Sequence, residues 1–111
     1  MNRKQFIQSR GANCRNWTWS WSFINHDDQL VIFGAWDVER DQERAVILRE
    51  EWEYNARLRK NPGYTQAVEH IGYILGGYDL YTFNMVQATS PDAPDVAVIQ
   101  DFERRLEKRF L

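Results

Sequence analysis

Residues 16–37 read NWTWSWSFIN, then HDDQ, then LVIFGAWD. Trp17, Trp19, Trp21 and Phe23 alternate with Asn16, Thr18, Ser20 and Ser22. A period of two is the pattern of a half-buried strand. It predicts a first strand over residues 16–25, with a tryptophan face and a face of small polar groups. His26-Asp27-Asp28-Gln29 has turn composition, because Asp side chains bond nearby backbone. Leu30-Val31-Ile32-Phe33 is apolar on both faces and rich in β-formers, which predicts a central strand. Gly34-Ala35 lets the backbone bend or another group come close. The run then ends on an aromatic beside a carboxylate, Trp36-Asp37. The whole stretch is a predicted hairpin, and it holds four of the five tryptophans.

Outward from it, residues 1–14 read as an N-terminal arm, in which 2–10 fit either a short helix or a loose segment. Residues 38–44 are charged and predict an exposed loop, 45–48 a third short strand, and 49–60 an irregular segment or short helix. Asn61-Pro62-Gly63 reads as a stop. A helix is predicted over 64–77, with Thr65 as N-cap and Gly76-Gly77 supplying the left-handed C-terminal residue. Its apolar stripe is Val68, Ile71, Leu75 and Tyr78. Residues 80–88 and 96–100 predict strands, joined by a proline-containing loop at 90–95. The tail, 103–111, belongs to a predicted terminal helix over 101–111 with Phe102, Leu106 and Phe110 on one side. The sum is one domain of 111 residues in the α+β class. It has a curved, mostly antiparallel sheet or partial barrel and one main helix.

Composition narrows the function. A net charge of −2 argues against binding nucleic acid by bulk electrostatics, where domain pI usually exceeds ~9. Lys and Arg nonetheless cluster at Arg3, Lys4, Arg10 and Arg15, at Arg57, Arg59 and Lys60, and at Arg104, Arg105, Lys108 and Arg109. The single cysteine, Cys14, permits no internal disulfide and no cysteine metal site. MNRKQFIQSR lacks the apolar region of a signal peptide, and no run approaches the ~20 apolar residues of a membrane helix. These features predict a soluble cytoplasmic protein with no membrane partner.

Catalytic patterns are missing from the sequence. There is no H-E-x-x-H, C-x-x-C or glycine-rich phosphate loop, so no metal or cofactor is expected. His26 and His70 read as structural, and Cys14 as an inert thiol. Gly76-Gly77 follows a helix, whereas phosphate cradles precede one. The alternating tryptophans fill a core or, at a strand end, line a pocket. Trp36-Asp37 either merely ends a strand or pairs a stacking ring with a carboxylate that accepts from an exocyclic amine. Tyr64, Gln66 and His70 share a helix and are further candidate lining groups.

Four segments together carry a resemblance: NWTWSWSFIN…VIFGAWD, VILREEWEYN, NPGYTQAVEHI and YTFNM. Over roughly residues 15–102 the chain resembles the SRA-like (SET- and RING-associated, PUA-related) domain, in the variant fused to HNH nucleases of bacterial modification-dependent restriction enzymes. The resemblance implies a barrel-like sheet that flips a modified cytosine out of duplex DNA and holds it between aromatics. Carried onto this sequence, Asp37 is the edge reader, and Trp36 with Trp19 or Trp21 stacks. Ser20, Ser22 and Asn25 bond the base or its phosphate, and Arg15, Arg57, Arg59 and Lys60 contact phosphates. The sequence departs from the family in having no HNH nuclease. Its tail, ERRLEKRFL, is also more helical than the strand such domains place there.

The leading expectation is therefore a non-catalytic domain that binds duplex DNA at a modified base, linked to restriction or defence, with nuclease activity in a partner. The alternative is a small protein–protein module, a phage or defence-system factor, that docks through an aromatic surface. A third, a small-molecule or RNA-modification enzyme on a PUA-like fold, requires a cofactor pocket that the sequence does not show.

Overall fold

Residues 30–36 are apolar or small throughout, and such a strand needs cover on both faces. In the computed structural model, which describes residues 2–17, 20–36, 47–48, 61–90 and 93–110, it has that cover. The side chains of Trp36, 86–90 and 93–101 lie outside the description. The elements are α1 (Arg3–Ser9), β1 (Ser22–Asn25), β2 (Leu30–Trp36), α2 (Pro62–Leu75), β3 (Asp79–Ser90), β4 (Ala93–Phe102) and β5 (Glu107–Arg109). The sheet runs β1-β2-β3-β4, with β5 also paired to β3. β1–β2, β3–β4 and β3–β5 are antiparallel, while β2 and β3 run parallel. A parallel pair needs a long crossover, and α2 lies on it.

The two faces of β2 open into two cores. Ile32 joins Phe6, Ile7, Phe23, Phe83, Met85 and Phe102 on the α1 side. Val31 and Phe33 join Ala67 and Leu80 on the α2 side. Phe83 is the hub of the first core, with ring centroids 6.1 Å from Phe6, 6.2 Å from Phe23 and 6.0 Å from Phe102. Gly34 is fixed by this packing. A Cβ there would sit 2.6 Å from Met85 Sδ and 3.1 Å from Phe83 Cζ.

The α+β class, the mostly antiparallel sheet and the central position of β2 stand. The pairings among the described residues form a mixed sheet that does not close, and there are two helices. The expected first strand is cut to four residues. Ahead of it, Ser20 N donates to Asn16 O at 3.1 Å, and Thr18 and Trp19 lie outside the described residues. Arg3 ties Trp17 and Ser20 to α1, donating to the carbonyls of Ser20 and Trp17 at 3.1 and 2.5 Å. The N-terminal arm is a helix with Phe6 and Ile7 buried, started by a reciprocal cap between Asn2 and Gln5.

Asn61-Pro62-Gly63 starts a helix rather than stopping the chain. Asn61, not Thr65, is the N-cap, and Pro62 takes the first turn, where its missing N–H costs nothing. Gly77 supplies the left-handed residue, at φ 119°. Of the predicted stripe of α2, Ile71 and Tyr78 pack against the core, while Val68 and Leu75 are turned away. Val68 is 47% exposed and Leu75 76%, while Gln66, Ala67 and His70 are buried. The tail is extended, with β4 through Phe102 followed by β5, so the terminal helix is replaced by strand. Ile47 and Leu48 are not in a strand. The remainder of 38–60 lies outside the described residues, with the loop, strand and irregular segment expected there.

Gly34→Ala forces the buried thioether of Met85 aside. Urea unfolding should show a loss of about 1–3 kcal/mol with the m-value unchanged.

Candidate functional site

The sequence points to the end of β2. The backbone places Trp36 opposite Met85 at the carboxyl end of the parallel pair with β3. Asp37, Trp19, Arg57, Arg59 and Lys60 lie outside the described residues, as does the side chain of Trp36. The group that approaches Gly34 is Met85 of the neighbouring strand.

The small polar face lies inside the domain. Ser20 and Ser22 are 1% and 0% exposed, covered by α2. Gln66, itself buried, donates from Nε2 to Ser20 Oγ at 2.7 Å and to Ser22 O at 3.3 Å. Its Oε1 accepts from Arg15 N at 2.8 Å. One amide thus ties α2 to Arg15, Ser20 and β1. Ser22 Oγ and His70 Nδ1 are buried without a hydrogen-bond partner.

Asn25, also expected to bond a base, is a buried strut. Its Nδ2 donates to Arg10 O and to Asp28 Oδ2, both at 3.0 Å, and its Oδ1 accepts from Asp28 N at 3.0 Å. A Cβ on Gly11 would meet that amide at 2.5 Å, and Gly11 has φ +73°, so this corner requires glycine twice over. Trp21 is half-buried on the α2 side, and its Nε1 donates to Ile47 O at 3.0 Å. Ser20 and Asn25 therefore have internal partners for the groups that the resemblance assigns to a ligand, and the Trp21 side chain packs against the α2-side core. Arg15, an expected phosphate contact, is exposed and paired with Glu69 at 2.7 Å.

Burial pushes the Cys14 thiol up, against weaker opposing effects of hydrogen bonds from Ser20 and Asn16 and the charges of Arg3 and Lys4. A protonated thiol is a poor nucleophile. His70 is pushed down to about 4, first by desolvation, with Arg15 and His26 adding to this and Glu69 opposing it. His26 is exposed, its Nδ1 2.9 Å from Tyr78 Oη and its ring edge-on to Tyr73. Among the described residues no group of three or more His, Cys, Asp or Glu is placed to hold a metal ion.

Sequence inspection missed the role of Gln66, since a glutamine on a helix is ordinarily surface. Its available signal was helical spacing: Gln66 and His70 lie four residues apart, on the face opposite Val68 and Gly72. Missed too was Arg10, which the structure brings to the same cleft as Arg104 and Arg105.

Gln66→Leu leaves the Ser20 hydroxyl and the Arg15 amide without their partner. It should lower stability by about 1–3 kcal/mol in urea unfolding. For His70, the unfolded chain takes up a proton near the ordinary value of 6.5, while the folded chain resists until about 4. Stability from neutral His70 is full above the first value and is lost as pH falls towards the second. His70→Gln stays neutral, so it should flatten the unfolding free energy across that window relative to the parent chain.

Comparison with known proteins finds no matching family model, no matching curated protein and no matching solved structure.

Proposed function

We propose that the chain is a non-catalytic DNA-binding domain that recognises a modified base in duplex DNA, cytosine first among the candidates, by flipping it from the stack. The observation that carries this reading is the position of Trp36 at the carboxyl end of the parallel β2–β3 pair. Ligands of open sheets with parallel strands sit beyond such ends. There Trp36 and the adjacent Asp37 combine a stacking face with a carboxylate that accepts from an exocyclic amine. In this reading, base recognition falls to Trp36, Asp37 and Trp19. Ser20, Ser22, Asn25 and Trp21 position the surrounding frame. Arg15, Arg57, Arg59 and Lys60 hold the backbone phosphates. The link to restriction or defence, and a nuclease in a partner subunit or domain, rest on the sequence resemblance.

A second reading has its own observation. Val68, Gly72 and Leu75 form an exposed line on α2, and Tyr73 is 44% exposed. An apolar helix face in solvent is the kind of surface through which small interaction modules dock.

Titration with a duplex carrying one modified cytosine, against its unmodified twin, separates the two. Base reading predicts tighter binding to the modified duplex, weakening as salt rises. Asp37→Ala should erase the difference while circular dichroism stays unchanged. Equal weak binding of both duplexes by the parent chain removes the reading and favours the interaction module.

A further inference from the structure

Two basic clusters far apart in sequence meet in space. Arg10 follows α1, and Arg104 and Arg105 follow β4. All three line one cleft of about 600 Å³, with Leu30, Tyr81 and Leu106 among the other walls. That size is within the roughly 300–1,000 Å³ of ordinary ligand sites.

The cleft is built rather than incidental. The Arg10 guanidinium lies 5.5 Å from the Phe6 ring, and that of Arg104 4.4 Å from the Phe102 ring. A ring beneath a guanidinium restrains its position, and Arg104 Nη1 also donates to Phe102 O at 3.3 Å. The backbone of Arg10 is held by Asn25, whose amide donates to its carbonyl. Arg105 is exposed and paired with Glu107 at 2.9 Å. Such a pair is worth little in water and readily exchanges for a better anion.

Two acids oppose these charges. Asp28 lies in the wall, its Oδ2 accepting from the neutral Asn25 amide, which supplies no countercharge. Glu107 lies beside the cleft, shared between Arg105 and Arg109. In a chain of net charge −2, three guanidiniums around one cavity concentrate positive charge locally.

We propose that this cleft is a phosphate site that takes a nucleotide: its phosphate accepts from Arg10, Arg104 and Arg105, and its base lies against Tyr81 between Leu30 and Leu106. A phosphate offers several oxygens to several forks at once, whereas a lone carboxylate is satisfied by a single arginine, which disfavours an acidic peptide. The site is separate from the end of β2 considered above. Leu30 and Trp36 are opposite ends of one strand, roughly 20 Å apart at ~3.3 Å per residue. The inference does not depend on base reading there.

Amide NMR of the whole chain tests it, with deoxycytidine monophosphate, deoxycytidine, inorganic phosphate, an unmodified duplex and a glutamate-rich peptide as probes. The monophosphate should shift the amides of Arg10, Gly11, Tyr81 and Leu106, inorganic phosphate should shift a subset at higher concentration, and deoxycytidine should shift none. Arg10→Gln with Arg105→Gln should weaken the monophosphate at least tenfold, with the remaining spectrum intact. If the duplex shifts the same amides more tightly than the monophosphate, the phosphate comes from a nucleic-acid backbone; the reverse order assigns it to a free nucleotide. No shift at these amides, a shift indifferent to the double substitution, or a response to the peptide alone overturns the proposal. Asp37→Ala should leave all of these shifts in place, so failure of the base-reading proposal is distinguishable from failure of this one.

Discussion

The structure depends on β2 being buried on both faces and both edges. Val31, Ile32 and Phe33 are each 0% exposed. A strand in that position has its backbone polar groups satisfied only by strands on either side. β1 serves one edge through the turn at 26–29, and β3 the other through the crossover that carries α2. Each face then needs its own cover. Phe6 and Ile7 of α1 close one, and Ala67 of α2 with its neighbours closes the other. The apparent N-terminal arm is therefore a wall of the core.

How α2 sits is decided by polar groups. Two apolar lines run along it, one through Val68 and Leu75 and one through Ala67, Ile71 and Ile74. On the inward face the Gln66 amide pairs with the Ser20 hydroxyl, the Ser22 carbonyl and the Arg15 N–H at once. A buried hydroxyl or carbonyl left unpaired costs about 1–3 kcal/mol. That helix–strand seam takes up the Ser20 hydroxyl and the Ser22 carbonyl and buries the Ser22 hydroxyl beside them. A parallel case is Asn25, which serves the corner at Gly11 and Asp28.

The same folding logic redistributes charge. Along the chain, the basic residues form groups interrupted by acids. In space, α1 and the β4–β5 connection bring Arg10 beside Arg104 and Arg105, while Arg15 turns to Glu69. Aromatic rings of the first core underlie two of those guanidiniums, so one cluster of phenylalanines both fills the interior and presents arginine edges to solvent.

Much of the frame was legible in the sequence. The uninterrupted apolar run marks β2, β-former composition marks β3, and turn chemistry marks residues 26–29. Helical periodicity shows that α2 exists, and Gly77 shows where it ends. These are local properties, set by side-chain period and backbone sterics. Residues 2–10 fitted either a helix or a loose segment, and the reciprocal cap of Asn2 and Gln5 with burial of Phe6 and Ile7 makes them a helix. What the sequence left open needed neighbours. Alternation at 16–23 describes a strand, yet Arg3 from α1 captures the Trp17 and Ser20 carbonyls, and β1 begins only at Ser22. Helical spacing marks a stripe of Val68, Ile71, Leu75 and Tyr78 on α2, and contact with the sheet shifts the inner face to Gln66, Ala67 and His70, with Ile71 at its side. Phe102, Leu106 and Phe110 fit a helix in isolation, but the open edge of β3 takes residues 107–109 as a strand. Local pattern determines which segments order. Which side chains remain outside to meet a ligand is settled by the long-range hydrogen bonds and packing that each segment finds.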